Sequence, residues 1–213
     1  ENGYFAEFGP GDGMENNTLI LKSLGWKGFW IGGENLTIDA KSNEKFCFIK
    51  EFISLKNIIE LTLKGKKEIN CDYIDVISFD LDGNDLFLVD ELLKNNFKPK
   101  LFIVEYNGKF PPPIKWRMNY NEKHIWDGSD YYGASLASFN ELFVNNDYEL
   151  ICCNAHTGSN AFFIKKEYLK LFDDVPKNIE DIYVPPRYFL HNVFGSHSFS
   201  HPQSVKTINK LFE

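Results

Sequence analysis

The chain has 213 residues, 43% of them hydrophobic and 25% charged, which suits one globular domain with a sizeable core. Its net charge of −7 excludes a nucleic-acid backbone or an anionic membrane as the main partner, since both select a basic face. No apolar run has membrane-spanning length, no signal sequence is recognisable, and Cys47, Cys71, Cys152 and Cys153 lack Cys-x-x-Cys spacing. A cytoplasmic protein with free thiols and no zinc site is expected.

Strands and helices are predicted to alternate. Residues 4–8 read as a first strand, and Asn16 or Asn17 caps a helix that runs to Leu24 and stops at Gly25. A second apolar run, Lys27 to Ile31, closes at Gly32-Gly33-Glu34. Residues 46–53 read as a third strand and 55–64 as a helix ending near Gly65. Ile74 to Phe79 is a continuous apolar run of the kind covered on both faces of a parallel sheet, and Leu86, Val89, Leu92 and Leu93 follow at helical spacing. Lys100 to Val104 gives a fifth strand. Ser135 caps a helix with Leu136, Phe139, Leu142 and Phe143 on one face. Residues 148–153 and 160–164 form a final strand pair, with Cys152 and Cys153 on opposite faces. The sum is a single α/β domain over 1–213 with a mostly parallel sheet and helices on both faces.

Two segments break the alternation. Residues 106–134 carry Pro111-Pro112-Pro113 and the aromatics Trp116, Tyr120, Trp126, Tyr131 and Tyr132, and such a long connection is more often functional than idle. Residues 173–213 read as an irregular C-terminal extension containing His191, His197 and His201.

Ligands of parallel sheets bind at the carboxyl ends of the strands, and the unusual polar groups fall there in order. Glu7-Phe8-Gly9-Pro10-Gly11-Asp12-Gly13 turns from the first strand into a helix, and glycine there admits positive φ and close backbone approach to a nucleotide. Dinucleotide-type spacing would need glycine where Met14 stands. Glu34, after the second strand, is placed for ribose hydroxyls, and Ser54, after the third, for an adenine. Asp80 and Asp82 follow the fourth strand, Glu105 and Asn107 the fifth. One such acid alone is as often a solvated turn residue; the ordered series makes a site.

The motifs Glu7-Phe8-Gly9-x-x-Asp12-Gly13, Asn17-Thr18 and Gly25-Trp26-Lys27-Gly28 resemble the FkbM-like branch of class I S-adenosylmethionine (SAM) methyltransferases. So do Ser78-Phe79-Asp80-Leu81-Asp82-Gly83-Asn84-Asp85, Glu105-Tyr106-Asn107, Tyr132-Gly133-Ala134-Ser135-Leu136 and Asn160-Ala161-Phe162-Phe163. The resemblance spans residues 4 to 165. Gly33 departs from it, because an apolar residue commonly precedes the ribose acid. It implies a Rossmann-like, seven-stranded, mostly parallel sheet ending in an antiparallel strand pair. It also implies SAM bound by Glu7, Gly9, Gly11, Asp12, Gly13, Asn17, Thr18, Glu34, Ser54 and Asp80, and an O-methyltransferase of polysaccharide, capsule or secondary-metabolite pathways. The acceptor it implies is a small sugar-linked or phosphorylated molecule, with no nucleic acid and no membrane insertion; a homodimer is allowed.

Two ways of activating the acceptor are open. Asp80, Glu105 and Asn107 supply oxygen ligands for a divalent cation, Mg²⁺ or Mn²⁺, which lowers the acceptor pKa. Alternatively a carboxylate (Asp80 or Asp82) or a histidine (His124 or His156) acts as general base. Trp116, Trp126, Tyr131 and Tyr132 of the 106–134 lid either stack on a flat acceptor or pack the loop, and Lys115 and Arg117 are placed to meet a phosphate. A competing reading takes Asp80-x-Asp82 as the motif of a haloacid-dehalogenase-like, Mg²⁺-dependent phosphatase with Asp80 as nucleophile, although Asn84 stands where that motif wants threonine. A non-catalytic SAM-binding module is the third.

Overall fold

A computed structural model describes residues 3–14, 16–38, 43–187 and 210 of the chain. The first half runs β1 (Tyr4–Phe8), α1 (Leu19–Ser23), β2 (Lys27–Gly32), β3 (Phe46–Lys50), α2 (Ile58–Glu68), β4 (Val76–Phe79) and α3 (Asp85–Lys94). The second runs β5 (Leu101–Glu105), α4 (Leu136–Val144), β6 (Tyr148–Cys153), β7 (Asn160–Lys165), a 3-10 helix at Lys166–Leu171 and α5 (Ile179–Ile182). The strands form one seven-stranded sheet in the order β3-β2-β1-β4-β5-β7-β6. Pairings β1–β2, β1–β4 and β2–β3 are parallel, whereas β6–β7 is antiparallel with a bulge between Leu150 and Cys152. This is the Rossmann-like sheet with a terminal antiparallel pair that the sequence predicts. Among the described residues no helix is long and apolar enough to cross a membrane.

The chain divides into two compact units, Glu1–Leu81 with Phe87–Ile103, and Asp82–Leu86 with Val104–Glu213. The first is built on buried aromatics: Phe8 stacks on Phe79 at 4.4 Å and meets Phe29 edge-on, an arrangement that suits the ring quadrupoles. In the second, Phe143 stacks on Phe163 at 4.2 Å and packs edge-on against Tyr148.

Several expected boundaries shift, each for a local reason. The helix expected to end near Gly65 continues to Glu68 and stops before Asn70, whose φ is +52°. Gly65 is there for close packing, since an added Cβ would lie 2.5 Å from the Phe29 ring. The third strand ends at Lys50, short of the expected residue 53. Helix α1 ends as foreseen: Gly25 takes φ +84°, Trp26 N donates to Leu21 O and Gly25 N to Lys22 O, the paired bonds of a Schellman cap. Asn16 rather than Asn17 serves its start, its Oδ1 accepting from Leu19 N at 2.8 Å. Ser135 caps α4, accepting from Ser138 N. Cys152 is exposed and Cys153 buried, as alternation requires, and all four thiols are free. His191, His197 and His201 lie outside the described residues.

Candidate active site

The glycine loop, in the first unit, leaves β1 with three glycines at positive φ: Gly9 at +84°, Gly11 at +54° and Gly13 at +91°. Gly9 sits where no side chain fits, because an added Cβ would lie 1.8 Å from the Asp80 carbonyl oxygen. Gly9 N donates to Ile31 O, and Gly13 N closes a turn onto Pro10 O. Around Gly11 the space is open: an added Cβ meets nothing within 4 Å. Open space beside a left-handed backbone is what a loop that touches a ligand with its own peptide groups presents.

Glu7 lies beneath this loop and has no exposed surface. One carboxylate oxygen accepts from Asn17 N at 2.8 Å, the other from Thr18 N at 3.1 Å and from the Thr18 hydroxyl. Thr18 Oγ1 in turn accepts from Trp30 Nε1, and Asn17 Nδ2 donates to Ser78 Oγ. Burial raises the Glu7 pKa, and the hydrogen bonds from Thr18 and Asn17 oppose that shift. Glu7 and Thr18 were expected to touch the ligand. The structure corrects this: both are fully buried and bind one another, so they shape the loop that a ligand would meet.

Asp12 accepts from Met14 N through Oδ1 and, through its backbone oxygen, from Thr37 N at 2.8 Å. Glu34 is exposed, two residues beyond the end of β2. Ser54 also departs from expectation. It is buried and serves the start of α2, its N–H donating to Asn57 Oδ1 and its carbonyl accepting from Ile58 N. After β3 the ring presented to solvent is Phe52, 52% exposed, next to exposed Glu51 and beside Gly33, whose added Cβ would lie 3.7 Å from the ring. Phe52 belongs to the Phe52-Ile53-Ser54 stretch that the sequence places beside an adenine, with the exposed group being the ring rather than the Ser54 hydroxyl. Asp80 is half-buried at the end of β4, its N–H donating to Phe8 O.

In the second unit, Asp82 takes φ +51°. A carboxylate oxygen of Asp82 and one of Glu105 lie within 4.8 Å of one another. His124 packs on the same turn, its ring 2.5 Å from where a Gly83 Cβ would be, and its Nε2–H donates to the Asp82 carbonyl at 3.1 Å. A carbonyl only accepts, so Nε2 carries the proton and is no base. Asn84 and Asn121 lock the next turn reciprocally: Asn84 Nδ2 donates to Asn121 O, and Asn121 N to Asn84 Oδ1.

Asn107 is a correction to the expected metal ligands. It is fully buried; its Nδ2 donates to Asp130 O and Tyr132 O, and its Oδ1 accepts from Lys109 N. It ties the two ends of the 106–134 segment together. Tyr132 is buried, whereas Trp116 stacks on Phe110 at 4.1 Å with Tyr131 edge-on. Most lid aromatics therefore pack the lid. Lys115 is paired with Glu141 at 2.7 Å, with both side chains more than half exposed. Nearer the β5 exit stands Lys109, half-buried, its pKa lowered by that burial and partly restored by Asp130. His156 is exposed in the β6–β7 turn.

Residues 183–187, part of the irregular C-terminal extension that the sequence predicts, strap over the β5 exit. Tyr183 OH donates to Gly108 O and Tyr106 OH to Val184 O, both at 2.6 Å, while Arg187 N donates to Thr157 O. Burial pushes the Tyr183 phenol up to about 12 and the Cys153 thiol up to about 11, so both stay protonated at neutral pH.

No family model matches the chain, and no curated protein matches it. Among solved structures it is similar to the SAH-bound crystal structure of CalO1, a methyltransferase in calicheamicin biosynthesis (SAH, S-adenosylhomocysteine). The TM-score is 0.42 and the identity 13%, over 76% of this chain and 49% of that one, so the chain spans about half the length of that structure.

Proposed function

We propose that this chain is a SAM-dependent O-methyltransferase of the FkbM-like branch. It acts in the cytoplasm on a small carbohydrate-derived or phosphorylated acceptor of polysaccharide, capsule or secondary-metabolite biosynthesis. The carrying observation is the order of exposed groups at the strand exits of the first unit: open backbone at Gly11, a free-standing carboxylate at Glu34, an exposed ring at Phe52. An amino-acid tail, a ribose and a base require those three chemistries in that order.

When bound, SAM would supply a sulfonium methyl group to an acceptor oxygen, with S-adenosylhomocysteine as the leaving group. The chain's own part is mostly positioning, the larger share of the rate in such an in-line displacement. The peptides around Gly11 would cradle the tail, Glu34 would accept hydrogen bonds from the ribose hydroxyls and Phe52 would offer its face to the base. In the second unit, Asp82 and Glu105 are the carboxylates whose chemistry suits taking a proton from an acceptor hydroxyl. Two close carboxylates also suit a hard divalent cation, and Asp82 with Glu105 would hold it, without Asn107. Full turnover after exhaustive chelation removes the cation and leaves methyl transfer standing.

Calorimetric titration with SAM and with SAH tests the reading. Saturable binding of both supports it; the absence of heat with either ligand on folded protein overturns it.

A further inference from the structure

The glycine loop is secured at both ends by its own neighbours. Gly9 N reaches Ile31 O, Gly13 N reaches Pro10 O, and Asn16 Nδ2 donates to Gly13 O at 2.8 Å. Its tip is held differently. The backbone oxygen of Asp12 accepts from Thr37 N at 2.8 Å, and Thr37 Oγ1 lies 3.2 Å from that oxygen and 3.2 Å from Asp12 Oδ2. Thr37 stands three residues beyond Glu34, in the segment that leaves β2. The residues on either side of it touch the same loop. Ile38 Cγ1 and Leu36 Cδ2 lie 2.9 and 3.3 Å from where a Gly13 Cβ would be. Residues 36–38 thus back the loop tip from outside, with Thr37 on Asp12 and its two neighbours on Gly13.

A loop of left-handed glycines is costly to order, so a loop that binds with its peptide groups gains from being held before the ligand arrives. Thr37 is exposed, and its hydroxyl bonds add little to the fold as a whole. Their effect falls on the shape of the tip around Gly11 and Asp12.

We propose that Thr37 is a positioning residue for SAM, acting through Asp12 to couple the glycine loop to the strand exit that carries Glu34. The proposal rests on the SAM reading above and assigns a role to a residue outside the expected binding set.

SAH binding to the full chain tests it, measured by calorimetry on Thr37→Val, Thr37→Ser and Asp12→Ala, alone and combined. Valine keeps the shape and the N–H but loses the hydroxyl, and losing that link is expected to raise the SAH Kd about five-fold. Serine restores the affinity. Because the two side chains share one contact while the hydroxyl also reaches the Asp12 backbone oxygen, Thr37→Val costs less on top of Asp12→Ala than it does alone. The melting temperature stays at the wild-type value throughout the Thr37 variants, which a merely structural role would not allow. Wild-type affinity in Thr37→Val, failure of serine to rescue, or additive losses overturns the role of Thr37 while the SAM reading stands. Absence of SAH binding in the wild type overturns both.

Discussion

Alanine at Gly9 and at Gly11 makes the same chemical change in two different surroundings. Both positions have positive φ, +84° and +54°, so each alanine bears the left-handed cost of about 1–2 kcal/mol. At Gly11 that is the whole effect, because an added Cβ meets nothing within 4 Å. At Gly9 the Cβ would stand 1.8 Å from the Asp80 carbonyl oxygen and 2.7 Å from its carbon. Those atoms are backbone at the end of a central strand and cannot rotate away. Relief requires the β1 and β4 exits to part by more than an ångström, and their register is fixed by the pairing of Phe8 with Phe79. The total is expected to reach about 3–5 kcal/mol, as for other overpacked sites with backbone strain. For a chain of this size, Gly11→Ala should lower Tm by about 2–8 °C and Gly9→Ala by about 6–20 °C. Thermal unfolding monitored by circular dichroism, with calorimetric SAH binding on whatever remains folded, reads both effects. Equal Tm values for the two variants would refute the steric reasoning.

Three further outcomes are expected. The folded-state pKa of Glu7 is raised above its ordinary 4.5, so stability from this group is full below that pH and is lost as pH rises through the raised value. Unfolding free energy of wild type minus Glu7→Gln should therefore fall across that window, and a flat difference contradicts the buried, proton-binding carboxylate. Asn107→Ala strips donors from the Asp130 and Tyr132 carbonyls, at about 2–3 kcal/mol, and hydrogen exchange should quicken across residues 118–134; unchanged protection there means that Asn107 does not clamp the lid. Nitrogen-15 spectra should find neutral His124 as the Nε2–H tautomer, and an Nδ1–H tautomer would break its bond to Asp82.

The strand succession, the antiparallel end pair and the glycine turn were legible because each has a local signature: a continuous apolar run, a turn residue, or a spacing along one strand. What was not legible depends on where side chains turn once the sheet has formed. Glu7 and Ser54 sit at strand exits with ligand-like chemistry, yet burial sends Glu7 to Thr18 and sets Ser54 to open a helix. Asn107 reads as a ligand until its amide is seen closing a loop 23 and 25 residues downstream. Thr37 is not legible for the opposite reason, since nothing local pairs it with a residue 25 positions earlier, and within the Phe52-Ile53-Ser54 stretch nothing local tells that the ring rather than the hydroxyl faces solvent.

Electron density of the protein crystallised with SAH tests the central claim most directly. The account predicts SAH along the Gly9–Gly13 peptides, its ribose hydroxyls on the Glu34 carboxylate and its adenine against Phe52. Density for SAH elsewhere, or a ribose that leaves Glu34 in solvent, would contradict it.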